Sequence, residues 1–389
     1  MKTPAPGFPV DALTVMLSLK CNLACSYCLR HDPEEELSDD LARRAVELLF
    51  ARGDGPKDLT FSGGEPLLRL DRLLELSALA RRRAKAQGIR LRLNVLTNAV
   101  ALTAAALDFL AAEDVRVVVT LSGEPAAHDR FRRGKDGRGS WRRLEHNVRA
   151  LVARLPPARL LATVPVHPEL AHRLHADFRF LASRGVRHFN LCAVFGVPWT
   201  ARQAADLSRQ YALVLAGAVA SARTPRPLVV QGLGLRFRSL TGAAAERDYS
   251  YRDEGGTHCP LSFRLTAWPD GKLSLNPFRF GPRAGDFAVG HLRSGMRKPF
   301  RGCAPGGPRC AGDDCRRRIV ALDRAYGASY MSAAGVDPEG FRRAWQANVL
   351  LCEGAMNQAA AEKVWRLSPR RPALKRYMEV SDSWCDLVG

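Results

Sequence analysis

The chain has 389 residues, of which 46% are hydrophobic and 25% charged. That length suggests two or three domains, and that composition excludes wholesale disorder and collagen-like repeats. The formal charge of +20 is carried by arginine, since only 9 of the 59 basic residues are lysine. A positive field draws anions such as nucleic acid or acidic peptide. The bases are, however, spread over predicted helix faces, as at Arg81, Arg82 and Arg83, without interleaved aromatics. This favours a solvated surface in a GC-biased composition. No apolar run approaches the roughly 18 residues of a membrane span. Residues 1–9 lack the charged-then-apolar pattern of a secretory leader. A cytoplasmic protein with no membrane partner is therefore expected.

In chain order, strands are predicted at 13–19, 58–62, 90–96, 115–121, 160–166 and 187–194. Amphipathic helices over 38–51, 70–86, 103–112, 141–155 and 168–184 fall between them. In the first helix Ser38 stands at the N-cap, Leu41, Ala45, Leu48 and Leu49 share one face, and Gly53 follows the end. Strands alternating with helices imply a parallel α/β sheet with right-handed crossovers, flat or curled into a barrel. Chemistry in such folds collects at the strand C-termini.

A helix over 201–222 and a stretch marked by Pro and Gly over 225–234 come next. Segments 263–268 and 272–275 flank Pro269, Asp270 and Gly271 and read as a β-hairpin. Residues 279–315 are rich in Gly, Pro, Arg and Cys. So long a loop in a compact protein needs something to order it, and metal is the natural candidate. Residues 316–389 carry a helical pattern and an irregular tail.

The ten cysteines fall at 21, 25, 28, 192, 259, 303, 310, 315, 352 and 385. In a reducing compartment, clustered thiols point to metal or catalysis before disulfides. Cys21, Cys25 and Cys28 follow the first strand at x3 and x2 spacing. A loop this short can give three thiolates to three irons of a cubane and leave the fourth iron open for chemistry. A zinc site would need a fourth ligand, and the nearest is His31.

With Cys21-x3-Cys25-x2-Cys28 after the first strand, the chain resembles the radical S-adenosylmethionine (SAM) superfamily. Gly63-Gly64-Glu65-Pro66 after the second strand is similar to that family's GGEP segment. Thr97-Asn98 ends the third strand, and Thr120-Leu121-Ser122-Gly123 ends the fourth. His128-Asp129-Arg130-Phe131-Arg132 and Gly137-Arg138-Gly139-Ser140 follow, as in the peptide-modifying and sulfatase-maturing branch. The resemblance covers about residues 11–195 and implies a partial (β/α)6 TIM-like barrel with a C-terminal cysteine-rich hairpin and helical extension. It implies a [4Fe-4S] cluster on Cys21, Cys25 and Cys28, with SAM on the open iron. Gly63, Gly64 and Glu65 would then serve the SAM amino group. Tyr27 would lie along the adenine, and Asn98, Thr120 and Ser122 would contact ribose or carboxylate. Each of the last three also reads as a strand-end polar residue serving local backbone. A flavodoxin- or ferredoxin-type reducing protein is implied as partner.

The C-terminal half resembles the SPASM or twitch extension of the family, in a partly degenerate form. The expected division is 11–225 for the barrel, 226–320 for the auxiliary-cluster region and 321–389 for helices and tail. Cys259, Cys303, Cys310 and Cys315 would ligate one auxiliary iron–sulfur cluster, with Cys352 in reserve; a metal-free region and a structural zinc are the other readings. Asn276 stands where relatives place a hairpin cysteine, and Gly306 breaks the usual C-x2-C pair after Cys303. Pro277 stands where sulfatase-maturing relatives place the catalytic Asp, so formylglycine formation is not expected. Cys192 at the end of the sixth strand is a candidate hydrogen donor, against the commoner buried thiol. Cys352 and Cys385 are weaker donors. His167, Glu124 and His128 are acid–base candidates whose plainer reading is structural.

The leading function is a radical SAM enzyme acting on a peptide or protein-derived substrate by crosslinking, oxidation or epimerisation. The alternative is a dehydrogenase or epimerase of a small molecule such as an aminosugar or cyclitol. A non-catalytic iron–sulfur nucleic-acid binder is remote, since such a binder has no need of the glycine segment.

Overall fold

The computed structural model describes residues 10–28, 35–112, 114–194, 197–233, 264–274, 288–297, 338–353, 355–367 and 374. Strands β1 (Ala12–Ser18), β2 (Lys57–Gly63), β3 (Leu91–Thr97), β4 (Val115–Thr120), β5 (Leu160–Val166) and β6 (His188–Ala193) lie within one residue of the predicted bounds. They alternate with α1 (Asp39–Leu49), α2 (Leu70–Gln87), α3 (Ala104–Ala111), α4 (Pro125–Phe131), α5 (Trp141–Arg154), α6 (Leu174–Ser183) and α7 (Ala201–Ser221). The Ser38 hydroxyl caps α1 by accepting the Leu41 N–H at 3.4 Å. Thr200 and Gln203 form a reciprocal capping box on α7. The helix expected over 168–184 is two pieces. Pro168–Arg173 is a 3₁₀ segment opened by proline and capped by the His167 ring, and α6 follows it.

Short strands β7 (Val229–Val230), β8 (Arg264–Ala267), β9 (Lys272–Ser274), β10 (Gly290–His291) and β11 (Gly295–Met296) complete one sheet, and α8 (Pro338–Glu353) and α9 (Ala355–Trp365) follow. The order is β11-β10-β9-β8-β1-β2-β3-β4-β5-β6-β7. Among the described residues its outer strands β11 and β7 are edges, so the sheet is a partial barrel and not a closed one. The expected hairpin is present as β8 and β9. It also extends the main sheet, because β8 pairs in parallel with β1 from Ala12↔Arg264 to Val15↔Ala267.

Alternation along each strand divides the sheet into two faces. Leu13, Val15, Leu59, Phe61, Leu93, Val95, Val117, Val119, Val164 and Phe189 join the helices in the main core. The opposite, inner face carries polar register partners. Thr14 lies beside Thr60, Thr60 beside Asn94, Thr120 beside Thr163, and Thr163 beside Asn190. An apolar side chain is favoured where helices exclude water, at about 25 cal/mol per Å². Polar side chains on the inner face mark it as a surface meant for something else.

At the N-terminal edge of the sheet, Lys57 is fully buried. Its Nζ donates to Val10 O at 2.9 Å, Arg52 O at 2.9 Å and Asp11 Oδ1 at 3.1 Å. Beside it, Arg92 forms a two-pronged pair with Asp58 at 2.8 and 2.6 Å. At the C-terminal edge, Asn348 of α8 accepts the Ala193 N–H at 2.9 Å, fastening α8 to the end of β6. Among the described residues no helix is long and apolar enough to cross a membrane.

Candidate active site

The C-terminal edge of the sheet begins where β1 ends at Ser18 and the chain enters the loop bearing Cys21, Cys25 and Cys28. Two backbone attachments fix this loop. Gly64 N donates to Ser18 O at 2.7 Å and Glu65 N to Lys20 O at 2.8 Å. Gly63 has φ of +131°, and a Cβ on Gly64 would overlap the Lys20 carbonyl. The glycines of the GGEP segment therefore permit close approach to the base of the cysteine loop itself. On the other side, Ala24 N donates to Arg133 O at 2.8 Å and Ser26 N to Phe131 O at 3.0 Å, stitching the loop to the segment after α4.

The three thiols are free and half-buried. Leu23 N donates to Cys21 Sγ at 3.4 Å, and Asn98 Nδ2 reaches the same sulfur at 3.6 Å. Burial raises the Cys21 thiol pKa, with the Leu23 bond opposing it. Burial also raises that of Cys25, against the pull of Arg132. Among the described residues no three Cys, His, Asp or Glu side chains converge closely enough for one metal ion. His31, the fourth ligand a zinc would need, lies outside the described residues, and a cubane offers each of the three thiolates a separate iron. On this donor set the residues fit an iron–sulfur cluster.

The Glu65 carboxylate is buried and accepts three hydrogen bonds. Oε1 accepts from Thr97 Oγ1 at 2.6 Å and Leu67 N at 3.0 Å, and Oε2 from Asn98 N at 2.6 Å. Burial raises its pKa while these bonds work against the rise. Its side chain ties β2 to β3. Asn98 faces the cysteine loop, donating to Asn22 Oδ1 at 2.8 Å. Ala99 follows with φ of 57°, and its carbonyl accepts from Asn147 Nδ2 of α5 at 2.7 Å. Thr120 is half-buried on the inner face, and Ser122 is buried beside the Tyr27 phenol. Buried atoms of that face, Asn94 Oδ1, Thr163 Oγ1 and Thr266 Oγ1, have no hydrogen-bond partner among the described residues. Such atoms suit a polar ligand.

The acid–base candidates take structural positions. His128 is fully buried, its Nε2 lies 3.0 Å from Ser140 Oγ, and burial followed by Arg132 pushes its pKa down to about 2. Glu124 precedes α4 and pairs with Arg173. His167 stacks on Phe131 at 4.0 Å and accepts the Glu169 N–H. Cys192 is half-buried in β6, with Sγ 3.9 Å from Val164 O. Cys259, Cys303, Cys310, Cys315 and Cys385, the side chain of Cys352, and residues Asn276, Pro277 and Gly306 lie outside the described residues. Sequence reasoning assigned no role to Arg132, which is buried behind the loop with its guanidinium 3.1 Å from Tyr27 Oη. Its only signal was a place in the segment 128–132, and one arginine among many carries no mark of burial.

Residues 15–181 match the family described as the radical SAM superfamily. The chain thus carries a radical SAM domain over those residues. It is 40% identical over 134 residues to a GTP 3′,8-cyclase of Synechococcus sp. strain WH7803, covering 31% of this chain and 37% of that protein. It is 25% identical over 152 residues to the serine-type anaerobic sulfatase-maturating enzyme of Bacteroides thetaiotaomicron, covering 37% and 36%. The chain thus spans little more than a third of the length of these curated relatives. The solved structure of anSMEcpe with bound AdoMet has a TM-score of 0.66 at 13% identity, covering 96% of this chain and 100% of that one. That likeness places the chain in the same fold.

Proposed function

We propose that this protein binds a [4Fe-4S] cluster on Cys21, Cys25 and Cys28, cleaves SAM reductively, and abstracts hydrogen from a peptide or protein-derived substrate. The carrying observation is the three free thiols on a loop pinned to the C-terminal edge of an open parallel sheet. Held there, the cluster would supply the electron for reductive cleavage of the SAM sulfonium. The chain's own residues do the rest. The Leu23 and Asn98 N–H groups orient Cys21. The Gly64 and Glu65 backbone sets the height of the loop over the sheet. Thr120, Thr163 and Asn94 present hydroxyl and amide groups from the inner face. Polar atoms in a site that excludes water hold a reactive group in one direction. Tyr27, Asn98, Thr120 and Ser122 are the side chains we assign to the SAM pocket. Cys192, on the same face as Thr163, is the candidate donor of a hydrogen atom to a substrate radical.

A peptide substrate is supported by the fold shared with anSMEcpe, a structure of which carries the Cp18Cys peptide. Asn276 and Pro277 speak against formylglycine as the product. One auxiliary cluster on Cys259, Cys303, Cys310 and Cys315, and a flavodoxin- or ferredoxin-type electron donor, complete the proposal. The test is anaerobic reconstitution with SAM and dithionite. Wild type releases 5′-deoxyadenosine, and Cys25→Ala releases none. Peptides encoded beside the gene should then change in mass or take up deuterium. Uptake of hydrogen label from a small-molecule panel, with every peptide unchanged, would move the assignment to small-molecule chemistry.

A further inference from the structure

Among the described residues two Lys or Arg side chains are buried, Lys57 and Arg132. Lys57 meets a carboxylate. Arg132 does not: its guanidinium donates to the neutral Tyr27 hydroxyl, its Nε has no partner, and no carboxylate stands within ion-pair distance among the described residues. Glu65 feels its field, but the donors on Leu67, Thr97 and Asn98 occupy that carboxylate. A buried charge without a counter-charge is costly, and native proteins seldom keep one unpaired.

Tyr27 stands between Cys25 and Cys28 in the loop, and the Cys25 and Cys21 thiols share the field of the guanidinium with Glu65. The backbone of Arg132 is also held in place. Arg132 N donates to His128 O at 3.0 Å, Ser140 Oγ donates to Arg132 O at 2.8 Å, and the neutral His128 ring lies on that same hydroxyl. The backbone bonds from Ala24 and Ser26 to residues on either side of Arg132 then fix the cation to the cysteine loop.

We infer that Arg132 is the built-in counter-charge of the iron–sulfur cluster on Cys21, Cys25 and Cys28, and that it eases the cluster's one-electron reduction. This rests on the cluster assignment made above. Reduction adds one electron and one negative charge to the cluster, so a fixed, desolvated cation beside two of its ligands stabilises the reduced form more than the oxidised one. Arg132 thus acts as a positioning residue, through charge.

The test is a dithionite titration of the full, anaerobically reconstituted chain, followed by electron paramagnetic resonance in the absence of SAM. Arg132→Gln and Arg132→Met should shift the redox equilibrium about tenfold toward the oxidised cluster, a fall of about 59 mV for one electron. Arg132→Lys should keep most of the wild-type potential. Retention of the cluster in Arg132→Lys, with its loss from both neutral variants, would also support the inference. Wild-type potentials in Arg132→Gln and Arg132→Met at equal cluster content would overturn it, most plainly if only SAM affinity fell. So would loss of the cluster from all three variants. Failure of the wild type to assemble any cluster would instead overturn the assignment of the site.

Discussion

The two ends of one sheet treat a buried cation in opposite ways. At the N-terminal edge, Lys57 has a carboxylate and two carbonyls, and Asp58 and Arg92 form a two-pronged pair close by. At the C-terminal edge, Arg132 has a phenol and faces thiols. One end is closed in its own bonds, and the other leaves charge to be answered. Parallel α/β folds keep stability at the strand N-termini and chemistry at the C-termini, and here the difference is legible in hydrogen-bond partners.

The largest effect that sharpens this comparison is on stability. Lys57→Met, which removes the buried donor to Asp11 and to the Val10 and Arg52 carbonyls, should cost about 3–5 kcal/mol in urea unfolding of the cluster-free protein. Arg132→Met, judged in the same assay, should cost less than about 1 kcal/mol or stabilise, because it removes a cation that no carboxylate pairs. Equal losses at the two ends would break the contrast.

Next comes Gly64→Ala. Its Cβ would meet the Lys20 carbonyl, so the cysteine loop must shift. A loss of about 1–3 kcal/mol, as for other overpacked sites, should accompany reduced cluster content measured by iron and sulfide analysis. Full cluster content in this variant would show that the loop is not set by that contact.

A smaller effect concerns pH. His128 is held neutral in the fold down to about 2, while the unfolded chain protonates near the ordinary 6.5. The unfolded state therefore binds the extra proton between those values. Stability is intact above that ordinary value and falls with acid below it, by up to about 1.4 kcal/mol per pH unit. His128→Gln should lose less stability than wild type on going from neutral to mildly acid conditions, as read from urea midpoints. Parallel pH profiles for the two proteins would contradict this. The smallest effect belongs to exposed pairs. Glu47→Gln, which removes the partner of Arg83, should change the unfolding free energy by no more than about 0.5 kcal/mol.

Much of the fold could be read from sequence because local signals were strong. Alternating apolar residues marked each strand, and Ser38 with its Leu41, Ala45 and Leu48 stripe marked α1. The cysteine spacing marked the loop. What escaped was long-range. The turn at Asp270 and Gly271 reveals a hairpin but not that β8 pairs with β1. That Glu65 ties β2 to β3 through three internal donors cannot be seen in its motif. Burial of Arg132 depends on segments far apart in the chain, and no local pattern carries it.

The proposed chemistry requires an open iron at the three-thiol loop. Mössbauer spectroscopy of the anaerobically reconstituted protein, before and after addition of SAM, tests it directly. The prediction is a cubane spectrum in which one iron site changes its environment when SAM binds. A spectrum indifferent to SAM, or a protein whose three thiols take up zinc and no iron, would contradict it.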